Sequence, residues 1–500
     1  MPIFVPNFDV TVRNPGVFVS IDPSKANSGQ VTLRSLLIGQ IKTTGRAEPF
    51  RPLFCSGVAQ AKEAGGPGSQ LALMTAAYRR QDPNGELWLL PLLDGDDSVQ
   101  AEAEIPLFAL GTATAAGTLS LYVAGKRIQV GVPAGGTGAS TGPRFAAAVN
   151  ATEDLPVAAE WSQADGVLLL RADNAGACGN DLDVRWNYLG AAGGEQFPFG
   201  MQAPPTARFT GGTAAPDLTA ALSNLVDQPF DIIAHPYTDA ASLDAIREFL
   251  DDQQGRWSPV RQVYGHAFTA FRGSMGAALT LLAGRNDQHA TIMPYSDAPE
   301  PPFVWAADLA GTVAPSLRNN PAVPLQPPLP MGVMPPALGS EFGFGDRNAL
   351  LYSGGATFEV TADRVVNVSR CVTTYQRNAA GSPDDSYLDT ETLFQLAFIC
   401  RFFRANLSST YTRKIIVPDD TRFATGSAMV TPSIIRGHVV AKYRELERNG
   451  MVAESRAFAR DVQVEIAQRG QVRILAPVHL TTGLRQIVMV IQFDVSLGVA

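Results

Sequence analysis

Phe230-Asp231-Ile232-Ile233-Ala234 is followed by Ser242–Asp251, Val260–Tyr264, Ser274–Leu282 and Ala290–Pro294. Short β-branched runs alternate here with segments of helical period, so the stretch reads strand, helix, strand, helix, strand. Repetition at this pitch builds a parallel sheet covered by helices. Asp217 supplies an N-cap for a preceding helix to Leu225. Upstream, Val31–Ile38 and Glu86–Leu92 read as two more buried strands, with a helix over Gln70–Arg80 between them. From 101 to about 210 the chain is rich in Ala, Gly and Thr. Short β runs recur there at Leu119–Val130 (a hairpin across Ala124-Gly125-Lys126), Val167–Arg171 and Leu182–Asn187, the pattern of a small β-rich insertion. Downstream, Asn320–Gly339 carries seven prolines and reads as an extended crossover. Ala349-Leu350-Leu351, Thr357–Val360 and Val365–Val372 then open the second half of the core. Asp389 is placed to cap a helix through Leu407. A second helix follows, with Thr431 as cap, Pro432 at its first position and Gly450 past its last turn. The fold class is α/β and multidomain. It has an αβ core whose parallel or mixed sheet is built from both halves of the chain, a β-rich inserted domain, and extended arms at both ends.

The chain end is unusual. Val462, Val464 and Ile466 alternate with polar residues, Gln468-Arg469-Gly470-Gln471 supplies a turn, and Val472 to Leu475, with Ile474, returns: a hairpin. The final apolar run is Ile487-Val488-Met489-Val490-Ile491-Gln492-Phe493-Asp494-Val495. Ile487, Met489, Ile491, Phe493 and Val495 share one face. An unpaired apolar strand is an aggregation hazard. It either tucks into its own domain's sheet or leaves the subunit to complete a neighbour's. Residues 1–25 also read as an arm, with prolines at 2, 6 and 15 and a short strand at Val17-Phe18-Val19-Ser20-Ile21.

Five hundred residues exceed one ordinary core and imply two to four domains. No apolar run is long enough to cross a membrane. No basic n-region precedes an apolar stretch at the N-terminus, so no signal peptide is expected. The four cysteines lack CxxC spacing, which favours free thiols in a reducing cytosol. The net charge of −8 conceals an asymmetry. Arg401–Arg485 holds fourteen Lys/Arg against seven Asp/Glu, a net of +7, which leaves −15 on the rest. A basic C-terminal domain calls for an acidic partner.

Local markers of catalysis are missing. No two of the five histidines stand at helical ligand spacing. Arg272-Gly273-Ser274-Met275-Gly276 has Arg where a nucleophile elbow needs its first Gly. The Gly65–Ser69 loop precedes a helix but lacks the Lys-Ser/Thr ending of a P-loop. Asp384, Asp385, Asp389 and Glu391 lack calcium-loop spacing and read as a solvated loop before a helix N-terminus. No cofactor, metal or catalytic residue is assigned. A cytosolic αβ enzyme with a non-local site is the competing class, and the parallel repeat is its only support.

Several stretches together resemble the contractile tail sheath proteins of bacteriophages, most closely the Mu-like branch. They are Asn14-Pro15-Gly16-Val17-Phe18-Val19, Arg34–Gln40, Gly68–Met74, Glu86-Leu87-Trp88, and above all Arg370-Cys371-Val372-Thr373-Thr374-Tyr375-Gln376 with Ser386–Thr392. The resemblance runs through most of the chain and is weakest in 101–212. It implies a structural subunit, not an enzyme, that polymerises helically around a tail tube and contracts to drive the tube through a target envelope. Implied partners are further copies of itself, the tube protein, and baseplate and tail terminator proteins, with no nucleic acid and no direct membrane insertion. The implied location is a virion tail or tail-like particle assembled in the host cytoplasm. Related sheaths serve phages, phage-tail-like bacteriocins and secretion machines. The resemblance also selects the second reading of the chain end.

The chain then divides into a linking arm (1–25), a first core part (26–100), an outer insertion (101–212), a second core part with the crossover (213–340), a tube-facing C-terminal core domain (341–485) and a linking strand (486–500). Arm residues are Val17, Phe18, Val19, Ile21, Ile487, Val488, Met489, Val490, Ile491, Phe493 and Val495. The receiving hairpin is Val462, Val464, Ile466, Val472 and Ile474. Arg413, Lys414, Arg436, Lys442, Arg444 and Arg448 are the tube-facing cations.

Overall fold

The first strand, β1 (Arg34–Gln40), is buried from Ser35 to Gln40 on both faces. That is why its sequence is an unbroken run rather than an alternation. The computed structural model describes residues 33–424, 426–468 and 470–493. After β1 come β2 (Leu53–Phe54), α1 (Val58–Gly65), α2 (Gln70–Gln81) and β3 (Glu86–Leu92). Ser69 caps α2, its Oγ accepting from the Ala72 N–H at 3.2 Å.

The insertion holds β4 (Glu102–Pro106), β5 (Gly117–Val123), β6 (Lys126–Val132), α3 (Gly138–Ala151), β7 (Val157–Ser162), β8 (Val167–Ala172) and β9 (Val184–Trp186). They form two three-stranded antiparallel sheets, β4-β8-β7 and β6-β5-β9. The β5–β6 turn falls at Ala124-Gly125, both with positive φ (49° and 81°), as a tight hairpin turn requires. The two ends of the insertion meet at bridges Val99–Thr213 and Glu102–Thr210. Helix α3 has no counterpart in the sequence reading. Its apolar positions are mostly alanine, so its period is faint, but a Thr137–Ser140 capping box starts it.

The core resumes with α4 (Leu218–Ser223), β10 (Ile232–Ala234), α5 (Ala240–Leu250), β11 (His266–Arg272), α6 (Met275–Ala283), β12 (Ala290–Tyr295) and α7 (Pro302–Asn319). The sheet order is β12-β11-β10-β1-β3-β2. Every pairing is parallel except edge strand β2. The sheet thus takes strands from both sides of the insertion. One expected strand is displaced: Val260–Tyr264 is loop, and β11 starts at His266. The reason is Arg256, fully buried and, among the described residues, without a carboxylate in ion-pair contact. Its Nε donates to the Tyr264 carbonyl (2.9 Å) and its Nη2 to that of Gln228 (2.5 Å). Gln262 and Tyr264 also take positive φ, which breaks an extended run.

Helix α7 escaped the sequence reading because it is buried on nearly every side from Pro302 to Ala314, which erases amphipathic period. It lies against α2, where a Cβ on Gly311 would stand 2.7 Å from the Tyr78 carbonyl oxygen. Its Asp308 is fully buried and held by Arg80 (2.8 Å) and the Gly332 N–H (2.7 Å).

Beyond 341 the chain adds α8 (Phe344–Tyr352), β13 (Thr357–Val360), β14 (Val366–Arg370), α9 (Thr390–Tyr411), β15 (Ile415–Ile416), β16 (Met429–Val430), α10 (Pro432–Arg448), α11 (Ser455–Asp461), β17 (Gln463–Gln468) and β18 (Gln471–Leu475). Ala349–Leu351 lies inside α8, and the strands here pair only two by two among the described residues. Helix α9 serves two cores. Leu393, Phe394 and Ala397 line a small void beside His266 and Tyr264, whereas Phe403, Leu407 and Tyr411 pack with the Val439, Tyr443 and Phe458 cluster. Arg401 fixes its middle, pairing with Asp231 at 2.5 Å.

Candidate assembly interface

The hairpin β17–β18 forms where the alternation places it, with Val464 opposite Ile474 and Ile466 opposite Val472. Period-2 alternation sends these four to one face and Glu465 and Arg473 to the other. Val464, Val472 and Ile474 pack on the C-terminal cluster. Val462 lies one residue before β17 and is buried. Among the described residues neither outer edge of the hairpin has a strand partner. Beside β18 opens a cleft of about 540 Å³ lined by apolar side chains of α9, β15, β16 and α10, among them Leu407, Ile416, Val430 and Ile435, with Val472 and Ile474, and by Lys414 and Gly470. The short runs 415–416 and 429–430 carried no usable period, so sequence reasoning missed this wall.

Ile487, Val488, Met489, Val490, Ile491 and Phe493 are in no strand and are 72–87% exposed. The alternative of a last strand tucked into the chain's own sheet is therefore not what the described residues adopt. Val17, Phe18, Val19, Ile21 and Val495 lie outside the described residues. The segment before the arm is firmly held. Leu480 bridges Val452, the Ala453 N–H donates to the His479 carbonyl at 2.8 Å, and Gln395 Nε2 donates to Thr481 Oγ1 at 3.0 Å.

The six candidate cations separate into two groups. Arg436 donates to the Val462 (3.1 Å) and Ala459 (2.7 Å) carbonyls, closing the end of α11. Lys442 pairs with Glu445 at 2.9 Å and stands 5.9 Å over the Phe402 ring. Arg413, Lys414, Arg444 and Arg448 are exposed, and none makes an ion pair among the described residues.

Candidate chemical sites are occupied by structural contacts. At the start of α2, the Gln70 N–H donates to Asn174 Oδ1 (3.1 Å) and the Ala72 N–H to Ser69, so the amides a phosphate would need are taken. Asp389 pairs with Arg370 at 2.8 Å, and Glu391 pairs with Arg485. Burial pushes His235 down to about 4 and His266 well below its usual value, so both are neutral structural residues. Among the described residues no group of three or more His, Cys, Asp or Glu is disposed to hold a metal, and no helix is long and apolar enough to cross a membrane. The four cysteines are free.

Among the described residues the subunit thus combines a helix-covered central sheet with a hairpin edge and an apolar tail that have no strand partner. Residues 211–374 match the family described as phage tail sheath protein central domain. Over 497 residues the chain is 33% identical to the Mu-like prophage FluMu tail sheath protein of Haemophilus influenzae, covering 99% of this chain and 100% of that relative. The chain belongs to the phage tail sheath proteins, the structural subunits of contractile tails. Among solved structures it is similar to the anti-feeding prophage helical sheath in its contracted state (13% identity, 97% of this chain and 100% of that one, TM-score 0.49). It is also similar to the sheath tail protein of Desulfitobacterium hafniense (12%, 93% and 100%, TM-score 0.45).

Proposed function

We propose that this subunit polymerises by strand exchange between copies. The Ile487–Val495 strand of one copy, together with the Val17–Ile21 strand of another, pairs with the β17–β18 hairpin of a third. The observation that carries this is the coexistence, among the described residues, of an exposed apolar tail with a hairpin whose outer edges have no strand partner, beside a largely apolar cleft. Strand addition satisfies edge amides, and pockets for alternate side chains set register. The polymer encloses a tail tube, meets a baseplate and a tail terminator at its ends, and contracts without nucleotide or catalysis. It works in a virion tail or tail-like particle put together in bacterial cytoplasm, with no part inserted into a membrane or bound to nucleic acid. Residues 101–212 form an outer domain that folds alone. The paired neck at Val99–Thr213 supports this, and Lys42–Asp173 (2.5 Å) and Arg272–Asp183 (2.6 Å) tie it to the core. Arg413, Lys414, Arg444 and Arg448 face the tube. The decisive experiment deletes residues 487–500. The expected result is a folded monomer that forms no tubes by electron microscopy, and tubes of normal length would refute strand exchange.

A further inference from the structure

The tail does not leave the subunit from the hairpin domain whose cleft it would fill in a neighbour. Its root is fixed elsewhere. Arg485 reaches Asp389 (3.0 Å), Glu391, and Gln326 Oε1 (3.3 Å). Gln326 Nε2 in turn donates to the Leu484 carbonyl at 3.1 Å, and the Leu325 N–H donates to Glu391 at 3.1 Å. Gly483 sits against the Pro324 ring, where a Cβ would meet it at 2.8 Å. Among the described residues Arg485 is the last one held in this way. Gln486 is exposed, and the apolar run begins at Ile487.

The carboxylates that hold Arg485 belong to the start of α9, and that helix end is bonded directly to the central sheet. Thr390 Oγ1 is 2.8 Å from Thr291 Oγ1 in β12, and Thr291 Oγ1 is 2.8 Å from His266 Nε2 in β11. Asp389 also pairs with Arg370 of β14. We infer that Arg485 is a positioning residue for assembly. It clamps the root of the C-terminal arm onto the start of α9, so that a pull on the arm passes to the six-stranded sheet. The inference rests on the strand-exchange reading for its role in assembly, but the clamp itself can be measured on a monomer. A planar guanidinium suits this post because its fork can engage two carboxylates and an amide at once, which an ammonium cannot.

Removing Arg485 alone would strand Glu391 as a buried, unpaired carboxylate and risk unfolding. The test therefore pairs Arg485→Met with Glu391→Gln, which keeps the acceptor for the Leu325 N–H. Nitroxides are placed at Ser386 and Ile487 of the full chain in a Cys178→Ser/Cys400→Ser background, and the inter-label distance is read by pulsed electron paramagnetic resonance. The parent should give a narrow distribution and the double variant a broad one, with equal melting temperatures. Arg485→Lys should fall between them. A free root must be ordered anew at each addition, so the critical concentration for tube formation should rise about tenfold. A narrow distribution in the double variant overturns the clamp. An unchanged critical concentration, where deletion of 487–500 abolishes tubes, overturns its role in assembly. If the deletion leaves tubes intact, strand exchange fails instead, and the distance distribution still decides whether Arg485 holds the root.

Discussion

The central sheet and the β17–β18 hairpin are built from similar residues and end in opposite states. The sheet is six strands wide, covered by helices on α/β connections, and Leu36, Leu37, Ile38, Leu89 and Leu90 have no exposure at all. Among the described residues the hairpin is two strands wide, with half-buried Val464, Val472 and Ile474 and open edges. An isolated pair of strands is marginal in water. The sheet finishes its hydrogen bonding within one chain, whereas the hairpin has room for strands from others. One chain thus holds a closed sheet and a hairpin supported on one face only.

The largest effect should come from breaking the closed region. Trp305 is fully buried and stacks on Tyr295 at 4.2 Å. Trp305→Ala should cost about 3–5 kcal/mol in chemical denaturation of the arm-deleted monomer. Ile491→Asp tests the open region in the full chain, denatured chemically at a concentration too low for tubes, and should shift monomer stability by less than about 0.5 kcal/mol. It should nevertheless suppress tubes, because burying one such side chain contributes roughly 1.5–3 kcal/mol per joint. A large loss of monomer stability would mean the tail packs on its own subunit.

The closed region also holds a flaw that pH reveals. Burial raises Glu300 from 4.5 to about 7, with only partial relief from the Met334 N–H and Arg80. As pH rises, the unfolded chain releases this proton first, so stability falls between about 4.5 and about 7. Glu300→Gln should flatten that fall, adding roughly 1–3 kcal/mol at pH 8 and nothing at pH 4. The smallest effect belongs to the exposed cations. Arg444→Glu with Arg448→Glu should weaken sheath–tube co-assembly at low salt by roughly 0–1 kcal/mol per lost pair. The difference should vanish near 1 M salt, where the Debye length is about 3 Å. Unchanged co-assembly at low salt would remove α10 from the tube contact.

What the sequence disclosed follows from where period survives. Alternation in β17 and β18 was readable because one face turns toward the C-terminal cluster, and the runs in β1 and β3 because both faces are largely buried. Helix α7 was hidden by total burial, and β11 was misplaced because Arg256 and Trp257 capture the backbone carbonyls of Tyr264 and Gly265. The exposed tail was visible as composition. Its anchor was not, since Arg485, Asp389, Glu391 and Gln326 are brought together only by the fold. Charge counting found the basic domain but could not see that Arg436 and Lys442 are engaged within the subunit.

Helix α9 has a mechanical consequence. It is bonded to the sheet at Thr390 and again at Arg401, and its last ten residues, Phe402–Tyr411, extend beyond the second support. At about 1.5 Å per residue that overhang is about 15 Å. That stretch packs on the Val439, Tyr443 and Phe458 cluster and carries the cleft wall at Leu407 and Tyr411, with the cations Arg413 and Lys414 just past its tip. A tilt of about 10° at the support would carry that tip through roughly 2.6 Å, most of a strand residue's rise. A rotation of the core would thereby be delivered to the cleft wall as a shift of most of one strand residue.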